Sequence, residues 1–427
     1  MSKRLLLVAV LACVISSLWA QTDSPYSRYG YGILKDPAVG LSRSMGGIGY
    51  GLRSGQSANP SNPASYSRVD SLTFLFDMGV NLNFGKLSDG SGSQNKTSGG
   101  LEYITVLVPL KKYLGFSFGV IPYSSIGYKF GSTDTEGSLM SAKTFSGSGG
   151  LSQVYAGLGY ATPLKGLSVG VNGSFIFGTL DHYRALTLVS PANSSVEYTE
   201  LSVKSAKVDI GVQYEMELSK TKKLTLGAVY SPRMNMRADY ENRHYEMTST
   251  ETLGDTTIHK KVDAGIPHTF GAGFTLSQTD KYILGADITF QKWSGVKYSS
   301  VMGDGLSQSD RFNDRWKFAV GGEYMINPYD RSYFKKIKFR GGLNYSNSYL
   351  NAMDVNGNID GYNEYGATLG FGFPIRTTLG RRISYVNLNF EYKKMSPKVK
   401  SMISEEYFGV SLNVNINELW FFRRKVE

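Results

Sequence analysis

Few residues in this 427-residue chain have the type and spacing for bond-making chemistry. The four histidines are His182, His244, His259 and His268. None stands in an HExxH pattern, and the chain has no CxxC or GxSxG. A lipase-like Ser–His pair would need a nucleophile and a base within hydrogen-bond reach, and His268 beside Thr269 does not supply one. Asn356, Asn358, Asp360 and Gly361 resemble half of a calcium loop. The acid required at its twelfth position is replaced by Ala367, so a polar hairpin loop is expected there. Gly-rich runs such as Gly147–Gly150 precede no helix and imply no phosphate cradle. The expectation is a protein that is not an enzyme, with no cofactor and no metal. What remains is binding chemistry. Arg28, Lys35, Arg43 and Arg53, all before residue 70, are candidates to meet a carboxylate headgroup.

These residues precede a long region with a single periodicity. From Ser71 onward apolar and polar side chains alternate with period two, the mark of strands with one face apolar. Leu72, Phe74, Phe76, Met78, Val80, Leu82 and Phe84 share a face. Phe408, Val410, Leu412, Val414 and Ile416 alternate with Gly409, Ser411, Asn413, Asn415 and Asn417. Many runs reach ten residues, longer than the usual soluble strand and sufficient for a tilted membrane strand. Fourteen strands are expected, starting near Leu72, Leu101, Leu114, Ser152, Leu167, Leu201, Leu224, His268, Tyr282, Arg315, Ile337, Glu364, Ile383 and Glu405. Their connections alternate between short turns and longer loops such as Pro122–Gly149, Leu180–Glu200, Tyr240–Pro267 and Trp293–Asp314. That is the plan of an outer-membrane barrel with periplasmic turns and outer loops. The fold class is therefore all-β: a 14-stranded antiparallel transmembrane β-barrel. An even count returns both chain ends to the periplasmic side.

Composition agrees. Mean hydropathy is −0.22, and no run of eighteen apolar residues follows the first twenty, which excludes membrane helices. One Cys rules out a disulfide framework, and 13% aromatics argue against disorder. Trp293, Trp316, Tyr113, Tyr160, Tyr282 and Trp420-Phe421-Phe422 fall at strand ends, where rings favour the membrane interfaces. The N-terminus, MSKRLLLVAVLACVISSLWA, has the charged start and apolar stretch of an export signal ending near Ala20. Cys13, within Val10-Leu11-Ala12-Cys13, offers the alternative of a lipoprotein cut. The organisation expected is residues 1–20 signal peptide, 21–70 an N-terminal plug, 71–418 the barrel and 419–427 a periplasmic tail. The charge of +11 falls to +9 once Lys3 and Arg4 leave. In an exported chain that excess implies phosphates of the outer leaflet or ordinary solvation, and no nucleic acid.

The segment before the first strand lacks alternation. Its glycines suit close packing in a confined lumen, and a barrel of fourteen strands is wide enough to hold it. Asn59-Pro60 and Asn62-Pro63 are turn formers that could pin it to the wall. Leu114-Gly-Phe-Ser-Phe-Gly-Val-Ile-Pro122 is also notable, because Pro122 offers no ladder donor and marks a break or an end of pairing.

Gly40-Leu41-Ser42-Arg43, followed by Met45-Gly46-Gly47, and Asn62-Pro63-Ala64 within SANPSNPAS resemble the hatch of the FadL-type outer-membrane transporters of hydrophobic compounds. A related branch, the shuttle-type barrels of protein-secretion machinery, is similar in the same region. The hatch start SPYSRYGYG departs from the ligand-transporting branch in being more polar and aromatic. The resemblance implies passive uptake of hydrophobic or amphipathic, fatty-acid-like molecules through a plugged barrel. Arg43, Asn62, Pro63 and Ala64 would form the ligand and hatch site. Gly119, Pro122 and Ser124 match a third-strand break that opens the wall sideways to lipid; the other reading is that Pro122 only caps its strand. The partners expected are outer-membrane lipid and lipopolysaccharide, a hydrophobic small-molecule ligand and envelope proteins. The alternative function is a barrel subunit of an outer-membrane secretion or assembly complex, acting as an interaction protein.

Overall fold

The computed structural model describes residues 24–90, 92–136, 139–189, 192–248, 252–299, 306–354, 356–376 and 383–419. The expected signal sequence, Cys13 and Trp420-Phe421-Phe422 lie outside the described residues. Fourteen strands form the barrel: β1 (Thr73–Ser88), β2 (Ser93–Lys111), β3 (Leu114–Glu136), β4 (Leu139–Ala161), β5 (Leu167–Val189), β6 (Ala192–Glu217), β7 (Lys222–Ser231 and Met234–Thr248), β8 (Thr252–Ile266 and His268–Gln278), β9 (Tyr282–Lys292), β10 (Arg315–Met325), β11 (Lys338–Asn347), β12 (Tyr362–Arg376), β13 (Ile383–Pro397) and β14 (Ser404–Leu419). Each pairs antiparallel with the next, and β14 closes on β1 from Ser404↔Ser88 to Leu419↔Thr73. Closure leaves no free edge around that seam, as a hydrocarbon environment demands. β7 and β8 are each interrupted at a proline, Pro232 and Pro267, which cannot donate to the ladder. Beyond those points the two strands resume pairing with each other, from Ile266↔Met234 upward.

The loops expected at Pro122–Gly149, Leu180–Glu200 and Tyr240–Pro267 are instead continuations of the strands. β3, β4 and β5 each run 23 residues and β6 runs 26, whereas β9 and β10 have 11 and β11 has 10. An excess of about 12 residues, at about 3.3 Å each, adds roughly 40 Å of wall measured along the strands on one side. Alternation fades there because both faces meet water: Gly254 to Lys261 are exposed without a break.

Within the membrane band the molecule is apolar outside and polar inside. Leu82, Phe84, Phe118, Phe175, Ile210, Phe270, Leu343, Leu369 and Leu412 are exposed, while Asn172, Gln213, Thr275, Asn387, Asn389, Asn413 and Asn415 are buried. Asn413 pairs with Asn387 across the ladder and accepts from the Asn389 amide, and Asn415 donates to Asp77 at 3.0 Å. Arginine at Leu412 should therefore cost about 2–4 kcal/mol near the bilayer midplane. From the sequence alone, a charge at Asn413 looks tolerable. Its full burial in the asparagine ladder makes even Asn413→Leu cost about 1–3 kcal/mol, through partners left unsatisfied. Urea unfolding of both variants in lipid vesicles measures this; a neutral Asn413→Leu would contradict the ladder.

Tyr113 and Tyr160 make an exposed edge-to-face pair at the short-turn end, ring centroids 5.7 Å apart. Trp316 is exposed and lies 4.5 Å from the Phe290 ring. Trp293 corrects the expectation of a membrane-interface ring. Its backbone has left β9 and turns its side chain inward, where it is fully buried against Tyr349, Phe312 and Tyr31.

Residues 24–70 fill the lumen. The even strand count returns the barrel's own ends, Thr73 and Leu419, to one side. It does not fix the start of the hatch, which lies at the opposite, long-hairpin end. There Ser24 N–H donates to Gly127 O at 2.7 Å, Ser24 Oγ to Glu405 at 2.9 Å, and Tyr26 OH to Ile403 O at 2.6 Å. The segment then descends to a 3₁₀ turn, Pro63–Arg68, beside the short-turn end and enters β1.

Candidate functional site

The hatch is built from turns because its sequence offers no period for helix or strand. Asn62 starts the 3₁₀ turn: its Oδ1 accepts from Ala64 N–H at 3.1 Å, and Pro63 takes the first position, where no donor is needed. The other end of the same amide donates to Tyr50 O at 2.8 Å and to Val212 O of β6 at 3.2 Å. Asn62, Pro63 and Ala64, expected as a ligand and hatch site, thus form the hatch's foot on the wall.

The wall has a matching bare patch. Gly115, Gly159, Gly170 and Gly211 are cross-strand partners on β3, β4, β5 and β6. A Cβ on Gly170 would stand 2.5 Å from Ala64 N and 2.6 Å from Pro63 O. On Gly115 it would stand 2.6 Å from Tyr66 C, on Gly159 2.9 Å from Ser67 N, and on Gly211 2.8 Å from Pro63 Cδ. The row is a trench in which the backbone of residues 62–67 lies directly on the backbone of the sheet. Further round, Gly321 and Gly342 receive the backbone of Met45 and Gly46 in the same way, and Gly370 makes room for the Ser44 side chain.

Charge fastens the middle of the hatch. Arg43 lies 2.7 Å from Glu102 of β2 and 3.0 Å from Glu391 of β13. Asp36 pairs with Lys317 of β10 at 2.8 Å. Asp287 of β9 accepts from Gly49 N–H at 2.6 Å and Tyr50 N–H at 2.9 Å. Gly46 N–H donates to Thr368 of β12, and Gly40 N–H to Tyr103 of β2. Arg43, expected to meet a ligand carboxylate, already has two carboxylates from the wall. The other basic residues are also engaged: Arg28 lies over the Phe145 ring at 4.4 Å, Arg53 donates to Ser168 at 2.7 Å, and Lys35 faces a cavity shared with Arg43, Glu102 and Lys393. At the outer end Tyr31, Trp293, Tyr298, Phe312 and Tyr349 form one aromatic cluster. Tyr349 OH donates to Gly32 O at 2.6 Å and Tyr298 OH to Gly30 O at 2.8 Å.

The third-strand residues sit at a real discontinuity. Among the described residues the β2–β3 ladder runs from Lys111↔Leu114 to Ile104↔Val120 and stops. Gly119 lies in the last paired stretch, opposite Thr105. Pro122 follows the end of pairing and opens a bulge against β4. Ser124 and Ser125 then pair with Leu34 and Ile33 of the hatch, and Lys35 N–H donates to Tyr123 O at 2.9 Å. A cavity of about 430 Å³ lies behind this seam, with Leu101, Val120, Pro122, Lys35, Arg43 and Glu391 among its lining residues.

The calcium-like loop is held by its own hydrogen bonds. Asp354 of the calcium-like loop accepts from the Ser401 hydroxyl at 2.6 Å, the Asn358 amide at 2.9 Å and the N–H groups of Asn356 and Asn358. These donors, Ser401 and Asn358 first, hold its carboxyl at about 2. Asp360 pairs with Lys398 at 3.1 Å, so the loop is a hydrogen-bonded hairpin. Sequence reasoning missed Glu102, Asp287, Lys317 and Glu391. Their signal was present, since ionisable residues inside membrane strands are costly and signal a buried partner.

The BamG family model matches residues 1–427. The chain belongs to the BamG family. No curated protein matches it by sequence. Among solved structures it is similar to the toluene transporter TodX of P. putida, with TM-score 0.61 and 14% identity over 90% of this chain and 99% of that one. A FadL homologue of Pseudomonas aeruginosa gives the same values. The Ralstonia pickettii toluene transporter TbuX gives TM-score 0.57 and 15% identity, over 89% and 97%. At such identity the likeness is one of fold: BamG-family membership stands on an outer-membrane barrel of FadL-like architecture.

Proposed function

We propose that this protein is a barrel subunit of an outer-membrane protein assembly complex, working as an interaction protein rather than as a channel. The family's name is that of an assembly-complex component, and the chain matches that family over its whole length. The observation that carries the reading is the seating of the hatch. It is fixed to the wall by ion pairs on β2, β10 and β13 and by backbone contact along two glycine rows. A hydrophobic solute would need an apolar path through the lumen. The cavity present carries Lys35, Arg43, Glu102, Glu364, Glu391 and Lys393 among its lining, charge that an apolar solute cannot compensate. The tall β3–β8 wall offers instead a large, solvated surface on the outer side for other proteins.

The cavity behind the β2–β3 seam favours the second reading, uptake of an amphipathic molecule from lipid. Purification in mild detergent separates the two. The full-length protein should come with envelope proteins in fixed stoichiometry. A single chain carrying one stoichiometric lipid-like molecule would defeat the assembly reading.

A further inference from the structure

The seam has two unequal lips. The β3 lip is covered by the protein's own hatch, through Ser24 at Gly127, Leu34 at Ser124 and Lys35 at Tyr123. Among the described residues the β2 lip, from Ser93 to Tyr103, pairs only with β1. Register places part of that lip in the membrane. Thr97, Gly99 and Leu101 stand opposite Phe84, Leu82 and Val80, and Leu82 and Phe84 belong to the exposed apolar band. An edge strand in water is solvated, but in hydrocarbon each unmet backbone group costs several kcal/mol. The Ile33–Leu34 pairing on the facing lip shows that an extended segment fits the slot.

We propose that β2 from Thr97 to Glu102 is a docking edge that takes an extended segment of a partner outer-membrane protein as an added strand. The segment's main chain supplies the missing hydrogen bonds, the usual source of affinity when a strand is added to a sheet. Gly99 and Gly100 leave the lip without bulk on either face, so close approach is unobstructed. Outward side chains of the segment would be apolar, continuing the band of Leu82 and Phe84. This inference rests on the assembly role proposed above and names where in the fold the partner binds.

The test uses full-length protein in cells. A photoreactive residue is placed at Thr97, Gly99 or Leu101, and at Leu343 on the far wall as control. Gly99→Pro and Gly100→Pro are made in parallel. Adjacent residues point their N–H groups to opposite neighbours, so one proline breaks the β1 ladder and the other removes only a seam donor. Expected are adducts between the three β2 positions and the co-purifying partner, none at Leu343, and loss of the adduct in the proline variant that keeps a folded barrel. If the partner co-purifies but β2 yields only lipid adducts, or if both proline variants keep the adduct, the docking edge is wrong while the assembly role stands. If no partner co-purifies, both fall.

Discussion

Valine in place of Gly170 should detach the foot of the hatch. The added side chain starts at a Cβ only 2.5 Å from Ala64 N, and neither the 3₁₀ turn nor the sheet can retreat without breaking hydrogen bonds. Overpacking at a well-filled site costs about 1–3 kcal/mol. Here the neighbours are backbone rather than flexible side chains, so the upper end of that range is expected. Gly173 on the same strand is the control, since a Cβ there would meet only Ala156 O at 4.0 Å. Limited proteolysis in detergent should release fragments cut between residues 50 and 70 from Gly170→Val, with Gly173→Ala resistant. Equal resistance of both variants would show that the trench does not hold the turn.

Removing the Arg43 charge should be at least as damaging. Arg43→Met removes the guanidinium that lies between Glu391 and the Glu102 carboxylate, which is only 5% exposed. Breaking a buried ion pair from one side costs about 3–5 kcal/mol, chiefly because the remaining charge stays desolvated. Removing the acids as well, with Glu102→Gln and Glu391→Gln, should restore most of the loss. Unfolding midpoints of the single and triple variants measure both. If Arg43 instead served a ligand, the single variant would keep its stability and lose only binding.

The membrane-spanning part of each strand was legible because period-two alternation is a local signal that the membrane enforces on one face. β1 and β14 follow it almost residue by residue. The signal fails where its cause ends. Above the membrane Gly254–Lys261 meets water on both faces, and the extended β7–β8 wall reads as a loop. Trp293 misleads for a related reason: its type suits an interface, but it is one residue out of phase with Ile288 and Phe290, and the phase was the better guide. The hatch motifs were visible as Asn62-Pro63-Ala64 and Gly40-Leu41-Ser42-Arg43. What they touch was not, because Gly115, Gly159, Gly170 and Gly211 become one feature only when register brings four strands together. Likewise Glu102 and Glu391 are 289 positions apart in the chain, and nothing in either neighbourhood announces Arg43 between them.

The direction of the hatch bears on how the protein is made. Ser24 is bound to Glu405 across 381 positions, and Tyr26 to Ile403 across 377, at the mouth opposite to the one where β1 begins. The stretch synthesised early is thus held by residues synthesised near the end, and contacts of such span form late and slowly. It also lies inside a ring that only the β14–β1 ladder closes. A ring shut while empty would have to admit the hatch lengthwise past Glu102, Glu391 and Lys317, the wall partners of Arg43 and Asp36. Closing the β14–β1 ladder around a hatch already in place avoids that passage, so the seating of the hatch and the closure of the barrel are coupled steps.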